Sequence, residues 1–154
     1  MDLLPLFQWF EATTVGTVVR ESLWMFPVIQ CVHLLALALL GGAVLLVDLR
    51  LLGLGLVSQP VDLLARQAEP WLVAAWTAII ATGIPMFLSE ATKCYYSPPF
   101  AYKIGLLVIA SIYTFTYRRR VTRKSALERA PFTACASLAL WFGVGFAGRW
   151  IAFY

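Results

Sequence analysis

Four long apolar runs constrain this sequence more than any other feature. A helix needs about 20 consecutive apolar residues to cross the roughly 30 Å hydrocarbon layer of a bilayer. The runs occupy residues 23–47, 70–88, 101–117 and 131–152. Hydrophobic residues make up 61% of the chain and charged residues 13%, whereas soluble domains are about half apolar and about a quarter charged. The sequence therefore predicts an all-α membrane protein, a four-transmembrane-helix bundle.

The remainder of the chain leaves room only for short connections. Residues 3–20 are rich in Leu, Phe and Trp but too short to span a bilayer, which is typical of a short N-terminal interfacial helix. The segment between the first two runs contains Gly53, Gly55 and Pro60 and is predicted to be a linker. Residues 1–154 thus form a single integral membrane domain, in which any chemistry has to lie among the helices.

The distribution of basic residues predicts the orientation. Lys and Arg accumulate in the cytoplasmic loops of membrane proteins. One side would carry Arg50, Arg66, Arg118, Arg119, Arg120, Arg123, Lys124 and Arg129, and the other only Arg20 and Lys93 outside the spans. Both termini are therefore expected to be extracytoplasmic. The net charge of +4 is explained by orientation and by anionic lipid, so no nucleic-acid partner is expected.

His33 is the single histidine of the chain and the main candidate for chemistry. It follows Trp24 by nine residues, which is roughly 14 Å along a helix and therefore inside the hydrocarbon layer. Steps of three and four residues place Gln30 and Asp48 on the same face. A buried ionisable group in a membrane is a functional candidate because its insertion is costly. His33 could be a haem ligand, a proton carrier or a metal ligand, or it could be neutral and hydrogen-bonded to a neighbouring helix.

One histidine limits how a haem could be held. The haem would be five-coordinate, would take Met86 or Met25 as a sixth ligand, or would be shared between the His33 residues of a dimer. Lys103 opens the third span and Arg149 closes the fourth, so both would lie on the side of the N-terminus. They could pair with haem propionates, or they could extend along the helices toward water.

Other motifs favour structural roles. Asp48 and Arg50 are two residues apart and do not face each other on a helix; they either mark a membrane boundary, the favoured interpretation, or pair with other helices. Residues 143–148 match G-x-G-x-x-G but lie within a span, where no strand precedes them. Cys135, Ala139, Gly143 and Ala147 instead form a stripe of small residues that predicts close helix packing. No hydrolytic motif is visible.

The strings PVIQCVHLLA and GGAVLLVDLRLLG, Gly83, and YKIGLL near the third span resemble an uncharacterised family of bacterial four-span inner-membrane proteins. The chain is more distantly similar to the four-helix membrane protoporphyrinogen oxidase and to copper-resistance membrane domains. That similarity implies haem b, with His33 and Lys103 at the positions of an essential histidine and lysine. The stretch LALALLGG after His33 departs from the oxidase pattern, so the oxidase activity is not carried over.

These observations predict a haem b-binding protein of the bacterial inner membrane, with both termini periplasmic and a role in electron transfer or haem handling. His33 would bind the haem iron, and Lys103, Arg149, Gln30 and Met86 would complete the site. Two alternatives stay open, a protoporphyrinogen-oxidase-like membrane oxidoreductase and a cofactor-free subunit of a membrane complex. Besides the lipid bilayer, the expected partners are a second copy of the chain or another membrane protein.

Overall fold

In a computed structural model that describes residues 3–124 and 130–151, all regular elements are helical. Four helices are long and apolar enough to cross a membrane: Met25–Leu51, Val61–Ser89, Pro98–Thr122 and Ala130–Trp150. The predicted all-α, four-span fold is therefore confirmed, and the chain is a multi-pass membrane protein.

The elements follow one another in simple order. They are α1 (Leu4–Glu11), α2 (Thr14–Glu21), α3 (Met25–Leu51), α4 (Val61–Ser89), α5 (Ala91–Tyr96), α6 (Pro98–Ile112), a π-helix (Tyr113–Arg118), α7 (Arg119–Lys124) and α8 (Ala130–Trp150). Helix α3 packs mainly on α4, and α6 mainly on α8. We call the end where α3 begins and α8 ends the terminal end, and the opposite end, where α6 passes into α7, the basic end.

Helix α4 begins nine residues earlier than the span predicted from Pro70, because it starts at Val61 and runs through Pro70. A proline inside a helix removes one backbone hydrogen bond and usually marks a boundary. Here the added turns have their own buried side chain, Leu64, which packs with Val47 of α3 and Ala134 of α8. Tertiary packing therefore extends the helix, and the linker shrinks to residues 52–60.

The third span also continues beyond its predicted end at residue 117. The arginine run was expected to lie in a loop, but the backbone stays helical through the π-helix and α7. Arg118 is only 6% exposed, since it pairs with Asp48 inside the bundle. A π-helix contains an extra residue per turn and shifts the register of the residues that follow. Part of the predicted basic loop is thus a component of the bundle.

The N-terminal segment forms two short helices, α1 and α2, where one was predicted. Thr13 separates them, and its hydroxyl accepts a hydrogen bond from the Gly16 amide at 3.3 Å, as an N-cap does. Gly16 lies so close to α4 that an added Cβ would be 2.5 Å from the Leu88 carbonyl oxygen. Together α1 and α2 cover the terminal end of α4.

Helix α8 packs through a different stripe from the predicted one. Cys135 and Ala139 are exposed, while Gly143 contacts Leu106 of α6. The buried side chains of α8 are Ala130, Thr133, Ala134, Ser137, Val144 and Ala147. Small residues do line the packed face, as helix association in membranes requires, but this face is turned relative to the predicted stripe.

Candidate functional site

The His33 side chain makes a hydrogen bond between two spans. Its Nδ1 atom lies 2.7 Å from the Thr82 hydroxyl of α4, and that hydroxyl lies 2.6 Å from the Ala78 carbonyl oxygen. A carbonyl can only accept, so the Thr82 O–H donates to Ala78 and its oxygen accepts from His33. The proton of the neutral imidazole is then on Nδ1, and the lone pair is on Nε2.

The Cε1 atom of the ring, which is bonded to Nδ1, lies near a glycine. A Cβ added to Gly83 would be 3.6 Å from His33 Cε1, which is an ordinary van der Waals contact. The imidazole therefore lies against the α4 backbone, between Thr82 and Gly83. The hydrogen bond to Thr82 and this packing contact both orient the ring, while the side chain stays partly exposed.

Lys103 is the second predicted site residue that comes to this region. Its side chain is partly buried and lies over Gly148 of α8, where an added Cβ would be 3.5 Å from Lys103 Cε. The ammonium is within electrostatic range of both His33 and Cys94. Lys103 lies in the second turn of α6, which begins at Pro98 and not at residue 101 as predicted.

The remaining predicted residues are arranged less closely. Met86 is partly buried and lies one helical turn beyond Thr82 on α4. Gln30 and Arg149 are exposed, as is Met25 at the start of α3. The side chains of Gln30 and Arg149 therefore lie at the surface and are not enclosed beside His33.

The terminal halves of α3 and α6 are more exposed than the rest of these helices. In α3 the buried side chains begin at Ala36, so none lies between Met25 and Leu35. In α6 the interval between Pro99 and Ala110 likewise contains none. His33 and Lys103 both belong to these more exposed halves.

An aromatic cluster and a carboxylate close the terminal end above these residues. Phe87 of α4 contacts Phe7 and Phe10 of α1, and it stacks on Phe100 of α6 at 5.5 Å. Glu11 accepts a hydrogen bond from the Thr92 amide at 2.7 Å and pairs with Arg20 at 3.0 Å. These contacts hold α1 and α2 against α5.

Cys94 of α5 lies in this covered region. Burial, together with the nearby Glu90 carboxylate, raises the pKa of its thiol to about 11. The thiol is therefore protonated at neutral pH, and Cys94 does not offer a thiolate ligand to a metal.

A second polar centre lies at the basic end, and the sequence predicted only part of it. Arg118 Nε lies 2.8 Å from Asp48 Oδ1, and both side chains are buried. Arg118 also donates to the Val44 carbonyl at 3.3 Å. The favoured reading of Asp48 as a boundary marker was wrong, and the alternative of a pair with another helix holds. Arg50 instead donates to the Gln59 carbonyl at 2.7 Å.

The ion pair is incompletely bonded. Ser137 of α8 lies beside the Asp48 carboxylate. Within the described ranges, however, neither Asp48 Oδ2 nor Ser137 Oγ has a hydrogen-bond partner of good geometry. An intramembrane charge with an unsatisfied oxygen is costly. The signal available in the sequence was Asp48 itself, on the face that carries His33.

Two tryptophans connect α6 and the π-helix to neighbouring spans. Trp76 Nε1 donates to Ser111 Oγ, and Trp141 Nε1 donates to Thr114 Oγ1, both at 3.0 Å. Tyr113 donates to the Thr133 carbonyl at 3.2 Å. These bonds fix the segment around the π-helix from both sides.

No group of three or more His, Cys, Asp or Glu side chains is arranged to hold a metal ion within residues 3–124 and 130–151. His33 could still bind a cofactor that needs a single ligand from the protein. Fold and site together define a four-span helical membrane protein with an oriented intramembrane histidine. The chain belongs to a family of unknown function, DUF6644, whose model matches residues 6–154. No curated protein and no solved structure matches it.

Proposed function

We propose that this protein binds haem b in the membrane through His33 and serves electron transfer or haem handling. The observation that carries the proposal is the hydrogen bond from His33 Nδ1 to Thr82. Histidines that bind metals usually donate their other ring N–H to an oxygen, which fixes the tautomer and the ring orientation. His33 has this arrangement, with Nε2 as the nitrogen left to bind iron.

The surroundings of His33 fit a large apolar group. Gly83 leaves the ring accessible beside the α4 backbone, and no side chain from Met25 to Leu35 is fully buried. A haem is a flat apolar ring with two carboxylates at one edge. The partly exposed position of His33 suits a group bound at the flank of the bundle or shared with a second copy of the chain.

Two cationic residues of the terminal end are candidates to bind the carboxylates. Lys103 is in electrostatic range of His33, and Arg149 follows Gly148, the residue against which Lys103 packs. Their charge would compensate the propionates, in bonds that are stronger than those between neutral groups. Met86 would be a candidate sixth ligand, and Gln30 a polar contact one turn before His33.

Haem b, when bound, would supply a one-electron redox change at its iron. The chain's own residues would set the conditions for it. Thr82 orients the imidazole and raises its basicity, and Lys103 holds positive charge near the ring. The Phe87 cluster limits access of water from the terminal end.

The location follows from the same reasoning. We place the protein in the bacterial inner membrane with both termini periplasmic, because the basic residues gather at the end opposite the termini. His33 and Lys103 would then lie in the periplasmic half of the bilayer.

A second candidate function is supported by the same contact. His33 bonded to Thr82 joins α3 to α4, and such bonds between spans contribute to helix association without any cofactor. The protein would then be a cofactor-free subunit of a membrane complex. Co-purification of a stoichiometric partner without a chromophore would support this candidate.

An absorbance spectrum distinguishes the haem-binding function from the cofactor-free function. The full chain is expressed with ample haem, purified in detergent and measured between the Soret and visible bands. The proposal predicts a Soret band that is lost or shifted in His33→Ala. The control is Val32→Ala, which changes an exposed neighbour on the same helix and should leave the spectrum unchanged. Absence of a Soret band in the wild-type protein, or an identical band in His33→Ala, overturns the proposal.

A further inference from the structure

A cleft opens at the basic end between α4 and the segment formed by the π-helix and α7. Its inner wall includes the apolar side chains of Val47, Leu72 and Phe115 beside the buried Thr114, Arg118 and Thr122. Its rim is charged and includes Arg66, Glu69 and Arg119. Arg66 and Arg119 are exposed at the rim, while Leu72 is buried in the bundle.

The charged residues of the cleft differ in how strongly they are paired with other residues. Arg118, also in the lining, is held by Asp48 inside the bundle. Arg119 lies 2.6 Å from Glu69 in a partly exposed pair, and an exposed ion pair contributes little stability that a new ligand would have to replace. Arg66 is exposed on the same rim. Among the described residues, the rim thus carries two guanidinium groups and one carboxylate.

We propose that this cleft binds an anionic phospholipid, with the lipid phosphate between Arg66 and Arg119 and an acyl chain along the apolar wall. Guanidinium groups bind phosphate oxygens through paired, charge-assisted hydrogen bonds. Basic pockets between spans on the cytoplasmic side are a recognised way in which membrane proteins select lipid headgroups. Charge complementarity at the rim and the apolar wall beneath it favour a lipid over a soluble anion.

In this proposal, Glu69 regulates lipid binding at the cleft. Its carboxylate pairs with Arg119, so it would compete with the phosphate. Removal of the charge of Glu69 frees Arg119 and strengthens lipid binding. The inference is independent of the haem proposal, because the cleft lies at the opposite end of the bundle from Lys103.

Lipid-dependent thermal stabilisation of the purified full chain in detergent tests the site. Phosphatidylglycerol is titrated and compared with phosphatidylcholine, and inorganic phosphate serves as the soluble probe. We expect phosphatidylglycerol to raise the unfolding midpoint and the other two to have little effect. The double variant Arg66→Gln/Arg119→Gln should weaken the apparent affinity by about tenfold or more, and Glu69→Gln should strengthen it.

Arg120→Gln is the matched control. Arg120 is an exposed arginine of the same basic run, and it is absent from the cleft lining. It should change the apparent affinity by less than about twofold if binding is local to the cleft. Three results overturn the proposal: an equal loss in Arg120→Gln and in the double variant, equal stabilisation by phosphatidylcholine, or equal stabilisation by inorganic phosphate.

Discussion

Asp48 and Arg118 form an ion pair of 2.8 Å inside the bundle, although they are 70 residues apart in the chain. The pair joins the end of α3 to the π-helix, and the Val44 carbonyl accepts a second bond from Arg118. Burial of both charges is expensive, so a lone partner left without its counterpart is strongly destabilising. The contact therefore stabilises the particular register in which α6 continues into α7.

Neutralisation of one partner tests this role. Asp48→Asn and Arg118→Gln should each lower the free energy of unfolding by about 3–5 kcal/mol, the usual cost of breaking a buried pair. The double variant should be less destabilised than the sum of the two single variants, because neither charge is left alone. Thermal or denaturant unfolding in detergent measures all three. Additive losses would show that the two side chains do not interact energetically.

The hydrogen bond between His33 and Thr82 can be removed with little change of shape. Thr82→Val should lower the unfolding free energy by about 1 kcal/mol, since bonds between spans contribute modestly. If haem is bound, its reduction potential should also change because the ligand loses its orienting partner. Thr77→Val, at an exposed threonine of the same helix that bonds only to the Val73 carbonyl in the described structure, should leave the potential unchanged. Equal effects from both variants would contradict the assigned role of Thr82.

The close approach of α2 to α4 predicts a strong effect at Gly16. A Cβ there would be 2.5 Å from the Leu88 carbonyl oxygen and 2.9 Å from the Glu11 carbonyl oxygen. Gly16→Ala should therefore displace α2, cost about 1–3 kcal/mol through overpacking, and speed trypsin cleavage after Arg20. Gly105→Ala should be tolerated, because no described atom outside its own stretch of helix lies within 4 Å of the added Cβ. A cleavage rate in Gly16→Ala equal to that of the wild type would refute the close contact.

The contacts of Glu11 predict that the stability of the packing between α1, α2 and α5 depends on pH. Hydrogen bonds from Thr92, with help from Arg20, lower the pKa of the Glu11 carboxyl below its usual 4.5. Stability from a lowered carboxyl pKa is present above the unfolded value and is lost as pH falls through the folded value. The difference in unfolding midpoint between wild type and Glu11→Gln should thus be constant above pH 4.5 and shrink below it.

Glu90→Gln is the comparison for that experiment. It removes an exposed carboxylate from the same end, where Glu90 pairs only loosely with Lys93 at 3.8 Å, and such pairs contribute little. A difference of the same size in both variants would mean that net charge, and not the Thr92 contact, controls the stability.

The sequence alone determined the fold class and the number of spans, through the length and hydropathy of its apolar runs. An apolar run has to cross the bilayer as a helix because lipid cannot satisfy backbone hydrogen bonds, so four spans followed without knowledge of any contact. Helix geometry also predicts the depth of His33 within the first span, whereas the third span begins at Pro98, before the predicted start at residue 101. These features depend only on local composition and periodicity.

The tertiary structure decided what depends on contacts between distant residues. It extended α4 through Pro70 because Leu64 packs on α3 and α8, and it turned Arg118 inward because Asp48 lies opposite. It also supplied Thr82 as the partner of His33, 49 residues away. Periodicity cannot identify such pairs, since burial and charge compensation are properties of neighbouring helices and not of any one of them.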